Sequence, residues 1–223
     1  MFDEIAPRYD LFNRIASLGL DRWWRRKAVN SLRLMPGMRV LDLASGTGDF
    51  ATECARRLVP LGIVVAGDLS LAMLSAGSKR MARDPVAFWH VRGAVVRAEA
   101  LPFSSGSFDA ITMGFALRNV GDLDATFHEM RRVLKPGGRL SLLEFGRPGN
   151  PFLRVGHWLW LSFVMPVIGV LTTGKLWPFL YLRRSILGFM RLEQVLDRLR
   201  KAGFSEAGAA PLSGGTVLIY SGS

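Results

Sequence analysis

A glycine-rich turn beside acidic residues is the part of the sequence best suited to chemistry. Within residues 40–49 (VLDLASGTGD), the apolar run that ends at Leu43 leads into a turn with Gly46, Thr47 and Gly48, and a helical pattern begins at Asp49. Glycines at such a turn let the main chain approach a bound ligand closely. Asp68 follows twenty residues after Gly48, at the end of the next apolar run. An acidic side chain there can accept hydrogen bonds from both ribose hydroxyls. The spacing therefore predicts a nucleoside site.

The pattern fits two nucleoside ligands. Residues 46–51 (GTGDFA) satisfy the G-x-G-x-x-G/A pattern of dinucleotide sites, as in an NAD(P)-dependent reductase. Asp42, four residues before the first glycine, would face the same loop. A carboxylate there attracts the ammonium and sulfonium charges of S-adenosylmethionine (SAM) and repels a pyrophosphate. The sequence also lacks a Tyr-x-x-x-Lys pair to support a reductase. Asp42 therefore favours SAM.

The elements that must position this turn are predicted from alternating apolar runs and helical patterns. Strands are predicted at Arg39–Leu43, Ile63–Gly67, within Val86–Val96, at Phe108–Gly114 and at Arg139–Phe145. Helices are predicted at Asp49–Leu58, from an N-cap at Ser70 to about Arg83, at Leu123–Leu134 and at Leu192–Ala202. Strands at Phe204–Ala210 and Thr216–Tyr220 would form a terminal hairpin. The alternation predicts an α/β, Rossmann-like sandwich with a mostly parallel sheet and a C-terminal antiparallel hairpin.

Two further segments flank this pattern within one predicted domain, residues 1–223. Residues 1–33 form a helical preface, and residues 151–186 form an apolar insert. The run between Arg154 and Lys175 carries no formal charge and is long enough to span a bilayer. Its His157, proline and glycines instead favour a buried or membrane-facing segment.

Composition limits the partners. Lys and Arg number 29 against 18 acidic residues, a formal net charge of +11, which suits nucleic acid, an anionic lipid surface or an anionic substrate. The single cysteine, Cys54, allows no intramolecular disulfide and suggests no metal site. The first residues have no signal-peptide pattern, so a cytoplasmic location is expected.

Motifs along most of the chain resemble one enzyme family. They are residues 2–13 (FDEIAPRYDLFN), Trp24-Arg25-Arg26, the turn at 40–49, 98–103 (AEALPF), 115–120 (FALRNV), 132–140 (RVLKPGGRL), 143–145 (LEF) and 181–186 (YLRRSI). Together they resemble the class I methyltransferases, and in particular the ubiquinone/menaquinone biosynthesis C-methyltransferase family. The Leu117–Val120 segment combined with Tyr9-Asp10 is the most specific part.

The resemblance implies SAM as the cofactor and a role for several residues. Gly46–Gly48 would line its methionine and ribose end, and Asp68 would bind the ribose hydroxyls. Met73 would pack on the adenine, although an ordinary core methionine fits that position equally well. Ala98 would offer a main-chain contact to the base.

Two predicted cofactor contacts depart from the family pattern. Arg97 stands where such enzymes usually carry Asp or Asn. Its guanidinium cannot accept a hydrogen bond from the adenine amino group, so the main chain would have to compensate. Gly114 stands where relatives often carry Ser. It can approach the cofactor only through its main chain.

The implied reaction methylates a ring carbon of a polyprenylated hydroquinone, either demethylmenaquinol or a related benzoquinol. Such a carbon becomes nucleophilic when a neighbouring hydroxyl loses its proton, so a base or fixed cation is needed. Arg118 is the first candidate, to stabilise the phenolate or orient a water, unless it pairs with an acid such as Asp122. Asn119 would support the loop. Tyr9 would touch the quinol ring or the methionine end, or pack as an aromatic anchor.

His90, His128 and His157 are the candidate bases, with His128 expected at the surface. Polyprenyl quinols reside in the bilayer, which predicts peripheral contact with an anionic membrane at its inner face. The adjacent tryptophans and basic residues of Asp21–Lys27 suit a lipid interface, and the insert suits a tail channel or the membrane.

Other functions compete with this one. The protein could act on another lipophilic molecule or be a non-catalytic membrane-associated subunit that retains the fold. A nucleic-acid methyltransferase is disfavoured because no N-P-P-Y-like or cysteine-based loop follows the fourth predicted strand. We therefore expect no nucleic-acid partner, and the sequence leaves a homo-oligomer open.

Overall fold

The computed structural model describes residues 11–223, which form a seven-stranded sheet in the order β3-β2-β1-β4-β5-β7-β6. The strands are β1 (Arg39–Leu43), β2 (Ile63–Asp68), β3 (Val91–Val95), β4 (Phe108–Gly114), β5 (Leu134–Phe145), β6 (Gly208–Leu212) and β7 (Val217–Gly222). Neighbouring strands from β3 to β5 are parallel, whereas β7 is antiparallel to both β5 and β6. The predicted mostly parallel sheet with a C-terminal antiparallel hairpin is confirmed.

The helices follow the strands in the predicted alternation. They are α1 (Asp21–Ser31), α2 (Asp49–Leu58), α3 (Leu71–Met81), α4 (Pro85–His90), α5 (Leu123–Val133), α6 (Pro151–Thr173), α7 (Trp177–Gly188) and α8 (Leu192–Lys201). Ser70 caps α3 as predicted, because its side chain accepts a hydrogen bond from the Met73 amide. Helix α6 contains a π-helical turn at Trp160–Val164. Of the predicted helical preface, residues 1–10 lie outside the described residues, while residues 11–16 and α1 are helical.

The strand predicted within Val86–Val96 is confirmed as β3 (Val91–Val95). It begins only after His90, because Pro85 starts α4 and Asp84 accepts hydrogen bonds from the Val86 and Ala87 amides. Two other predicted boundaries were wrong. Strand β6 begins at Gly208 instead of Phe204. The Phe204 amide still donates to the Leu199 carbonyl, which closes α8 after Gly203 adopts a φ of 97°. Strand β5 begins at Leu134 instead of Arg139, with a register shift opposite Phe108–Ala110.

The topology fixes where a ligand can bind. Strand β1 lies between β2 and β4, so the chain moves to one side of β1 first and to the other side later. At such a switch point the loops beyond the carboxyl ends of the strands separate and leave a crevice. A separate apolar cluster, which includes Phe12, Leu161, Met165, Phe179 and Ile186, joins residue 12 to α6 and α7 above that crevice.

Candidate active site

A cavity of about 850 Å³ occupies the crevice beyond β1, β2 and β4. Its lower wall includes the predicted residues Asp42, Gly46, Thr47, Asp68, Met73, Arg97, Ala98, Gly114, Arg118 and Asn119. Its upper wall comes from residues 12–20 and from α6 and α7. The structure thus brings together most of the residues that the sequence assigned to cofactor and substrate. Tyr9 lies outside the described residues.

The turn after β1 is held by the carboxylate of Asp68. Gly46 has a φ of 57° and its amide donates to Asp68 Oδ2 at 2.7 Å. The other carboxylate oxygen accepts from the Ser70 amide at 2.8 Å. Asp68 therefore joins the end of β1 to the start of α3, and it lines the cavity with the lone pairs that remain.

Gly48 has a structural role in this turn. It does not line the cavity, unlike Gly46 and Thr47. Its φ is 82°, and a Cβ there would lie 2.8 Å from the Met81 sulfur. A side chain at this position would therefore be strained and would displace the Met81 side chain. Met73 is buried and also lines the cavity, so packing on an adenine stays a prediction beside its place in the core.

Asp42 places a buried carboxylate at the same end of the cavity. Ser45 Oγ donates to Asp42 Oδ2 at 2.6 Å, and Thr112 Oγ1 donates to Asp42 Oδ1 at 2.7 Å. Burial raises the pKa of Asp42 to about 6 against the opposing effect of these hydroxyls. The group is therefore mostly ionised at neutral pH and provides a fixed negative charge.

The turn does not suit a pyrophosphate. The Gly46 amide is taken by Asp68, and the Gly48 amide donates to the Ser45 carbonyl at 2.9 Å. The carboxylate of Asp49 lines the cavity at the first turn of α2, where a phosphate would bind in a dinucleotide site. Burial alone would raise the pKa of Asp49, but Arg25 and Arg80 outweigh burial and lower it. Three carboxylates (Asp42, Asp49 and Asp68) thus favour a cationic ligand over a dinucleotide.

Gly114 and Arg97, the two residues that differ from the family pattern, lie in different surroundings. A Cβ at Gly114 would lie 2.7 Å from Phe50 Cε2, so the Phe50 ring leaves no room for a serine there. Arg97 is exposed on the cavity rim, and its carbonyl accepts from the Ala100 amide at 3.2 Å. At Arg97 itself, only main-chain atoms can therefore accept a hydrogen bond from an adenine amino group.

Arg118 is buried and paired with a residue that the sequence did not single out. Its Nη1 lies 2.7 Å from Glu144 Oε1, and both side chains are buried. The alternative that Arg118 pairs with an acid is therefore confirmed, but the acid is not Asp122, whose side chain caps α5 through the Ala125 amide. Arg118 Nε is buried without a hydrogen-bond partner among residues 11–223. A buried donor without a partner is costly unless a ligand satisfies it.

Asn119 follows Arg118 on a single 3₁₀ turn, Leu117–Asn119, and its Oδ1 accepts from the Tyr181 hydroxyl at 3.2 Å. Both residues line the cavity. The contact ties the loop after β4 to α7, which agrees with the supporting role predicted for Asn119. Phe115, between β4 and this turn, has a φ of 56°, an unfavourable conformation for a bulky residue.

The three histidines occupy different environments. His157 is half-buried on the face of α6 that lines the cavity, and burial lowers its pKa. His90 Nδ1 bonds the Gly62 carbonyl away from the cavity, and His128 is exposed as predicted. Only His157 is therefore placed to meet a ligand in this cavity.

The lipid-interface prediction for the adjacent tryptophans was wrong for one of them. Trp24 is 7% exposed, lines the cavity and donates to Ser213 Oγ at 2.9 Å, whereas Trp23 is 41% exposed. Asp21 and Arg25, at helical spacing from each other, also line the cavity. The helical spacing of Asp21, Trp24 and Arg25 (i, i+3, i+4) was the signal in the sequence that could have identified this inward face.

Helix α6 presents two apolar faces. Leu153, Trp160, Leu161 and Met165 line the cavity, and Trp160 Nε1 donates to the Ala16 carbonyl at 3.2 Å. The opposite face is exposed at Val155, Phe163, Val167, Val170 and Leu171 among others. Pro151–Thr173 is long and apolar enough to cross a membrane, and 22% of its most apolar stretch is buried.

Within residues 11–223, no cluster of three or more potential ligands could hold a metal ion.

Comparison with known proteins gives a family match along the entire chain. The model of the ubiE/COQ5 methyltransferase family matches residues 1–223. A curated relative from Geobacter sulfurreducens, the ubiquinone/menaquinone biosynthesis C-methyltransferase UbiE, is 39% identical over 222 residues, covering 100% of this chain and 86% of the relative.

Solved structures show the same fold at lower identity. A SAM-dependent methyltransferase from Aquifex aeolicus superposes with a TM-score of 0.65 at 16% identity, over 89% of this chain and 88% of that one. The [4+2]-cyclase SpnF superposes with a TM-score of 0.66 at 24% identity, over 97% of this chain and 75% of that one. One of these two proteins is named as a cyclase, so the shared fold alone does not specify the reaction.

Proposed function

Because the chain belongs to the ubiE/COQ5 methyltransferase family, we propose that it transfers the methyl group of SAM to a ring carbon of a polyprenylated hydroquinone. The protein is a SAM-dependent methyltransferase, and the sulfonium of bound SAM supplies an activated methyl group. The observation that carries the proposed ring chemistry is the buried Arg118 guanidinium. It lines the same cavity as the glycine turn and retains a donor without a partner among residues 11–223.

The lower wall of the cavity fits the cofactor. Asp68 has carboxylate lone pairs for the ribose hydroxyls, and the bend at Gly46 and Thr47 lets main-chain atoms approach the ligand. Asp42 supplies a negative charge for the ammonium group. At the adenine end, Ala98 offers main-chain atoms and Met73 an apolar surface.

Arg118 supplies the positive charge that the acceptor needs. A hydroquinone ring carbon attacks a methyl group only when the neighbouring oxygen carries negative charge, and a guanidinium near that oxygen stabilises the phenolate. A guanidinium serves as a fixed cation and not as a base. The phenol proton, and later the proton on the methylated ring carbon, therefore leave to water or to His157 at the cavity wall. Glu144 fixes its orientation through the 2.7 Å ion pair, while Asn119 and Tyr181 hold the loop that carries it.

The raised pKa of Asp42 should make cofactor affinity depend on pH. The pKa is raised to about 6, so the carboxylate is ionised above that pH and becomes neutral as the pH falls through it. We expect the affinity for S-adenosylhomocysteine (SAH) to fall by about tenfold between pH 7.5 and pH 5, as the ionised fraction falls. Isothermal titration calorimetry across this range measures the effect. The variant Asp42→Asn should bind SAH weakly at every pH. If its SAH affinity fell with pH as it does in the wild type, Asp42 would not be the titrating group.

The exposed face of α6 is the proposed membrane contact. Its other face packs against residue 16 and the cavity, so the helix can rest along a bilayer surface without leaving the domain. Exposed Trp158 and Trp177 suit the headgroup region, and Arg154 and Arg184 are exposed for anionic lipids. We therefore propose a cytoplasmic enzyme that binds the inner face of the membrane peripherally, where a polyprenyl tail can enter the upper cavity.

Vesicle sedimentation tests this contact. The protein should pellet with vesicles of mixed anionic and neutral lipids, and a Val167→Asp, Leu171→Asp double variant should remain in the supernatant. Leu61→Asp is the matched control, because Leu61 is also exposed but follows α2 on another part of the surface. Equal sedimentation of all three proteins would remove α6 from the membrane contact.

Direct transfer tests the acceptor. Purified protein is incubated with trideuteromethyl-labelled SAM and prenylated naphtho- or benzohydroquinones that lack the ring methyl, followed by mass spectrometry. We expect one labelled methyl on a ring carbon of at least one acceptor, and none on the oxidised quinones, which cannot form a phenolate. Transfer to neither ring class would favour another lipophilic acceptor. The absence of cofactor binding would favour a non-catalytic subunit.

A further inference from the structure

A guanidinium from α1 faces the cofactor end of the cavity. The Arg25 side chain is only 12% exposed and lines the cavity with Asp42, Asp49 and Gly46. Its carbon Cζ lies 5.8 Å from the centre of the Phe115 ring, which packs against it from the end of β4. Arg25 is thus held at the glycine turn, among carboxylates suited to the cationic groups of the cofactor.

The donors of Arg25 are only partly used. Its Nη1 donates to Asp21 Oδ2 at 2.8 Å, the only hydrogen bond of this guanidinium among residues 11–223. Nη2 lies 3.7 Å from Asp49 Oδ2, too far for a hydrogen bond. Asp49 has a closer partner, Arg80 Nη1 at 2.8 Å. Since a guanidinium carries five N–H donors, Arg25 retains donors for a ligand in the cavity.

The charges at this end match an amino acid in its zwitterionic form. Asp42 is a buried carboxylate near enough to Arg25 for the guanidinium to lower its pKa. We propose that Arg25 binds the α-carboxylate of the amino-acid end of SAM, while Asp42 receives its ammonium group. A planar guanidinium suits a carboxylate because it can donate two parallel hydrogen bonds.

Calorimetry with two ligands tests this assignment. SAH carries the amino acid, whereas 5′-methylthioadenosine retains the nucleoside and sulfur but lacks the amino acid. We expect Arg25→Gln to weaken SAH binding by about 10- to 100-fold, the loss typical of a hydrogen bond to a charged group. Binding of 5′-methylthioadenosine should change by less than about threefold. Arg26→Gln is the matched control, since Arg26 is 60% exposed on the same helix and should leave both affinities unchanged.

An equal loss of both ligands, or no loss of SAH, would overturn the assignment. If Arg25→Gln does not fold, because Asp21 loses its partner, the wild-type protein provides the test through the decarboxylated analogue of SAH. That analogue should bind at least about tenfold more weakly than SAH, and equal affinity would again overturn the proposal. The inference rests on the SAM-dependence of the protein and not on the acceptor, so failure of quinol methylation would leave it intact.

Discussion

Replacing Arg118 with glutamine should lower kcat for methyl transfer by about 100- to 1000-fold, the loss typical of removing one donor that stabilises a developing oxyanion. SAH affinity should stay within about threefold of the wild type, because Arg118 acts on the acceptor and not on the cofactor. Single-turnover transfer and calorimetry on the same preparation measure the two quantities.

A double variant separates catalysis from folding. Arg118→Gln alone leaves the Glu144 carboxylate buried without its cation, which commonly costs about 3–5 kcal/mol of stability. Adding Glu144→Gln replaces the ion pair with two neutral amides of similar shape, so the melting temperature should recover while kcat stays low. Recovery of kcat along with stability would show that Arg118 is only structural.

Replacing Asp68 with alanine should weaken SAH binding by at least about 100-fold. The change removes the acceptor for the ribose hydroxyls, each bond to a charged group contributing about 1.5–3 kcal/mol. It also releases the Gly46 and Ser70 amides that shape the turn. Calorimetry measures the affinity.

A second aspartate in the same sheet provides the control. Asp109 lies in β4, pairs with Lys135 at 2.6 Å and does not line the cavity. Asp109→Asn should therefore bind SAH as the wild type does. If Asp68→Ala also bound SAH normally, the nucleoside site would have to lie elsewhere.

The sequence predicted the fold well where local signals and global topology agree. The strands Arg39–Leu43 and Phe108–Gly114 and the helix Asp49–Leu58 have the predicted bounds, because each is an apolar or amphipathic run closed by a turn. The glycine turn after β1 could be predicted equally well, since glycines and acidic residues close together in sequence determine its shape.

Contacts between residues far apart in sequence could not be predicted. Glu144 is 26 residues from Arg118, and only the adjacency of β4 and β5 brings the pair together. The clash that requires Gly114 comes from Phe50 on another element. Arg25 was assigned to a lipid interface because composition does not reveal which face of a helix is buried.

The most direct test of quinol methylation is the mass of the quinone pool in cells that lack the gene for this protein. We expect a quinone lighter by one ring methyl group in these cells, and the normal mass should return with the intact gene but not with the Arg118→Gln variant. A quinone of unchanged mass in the deleted cells, with no second enzyme supplying the methyl group, would contradict quinol methylation.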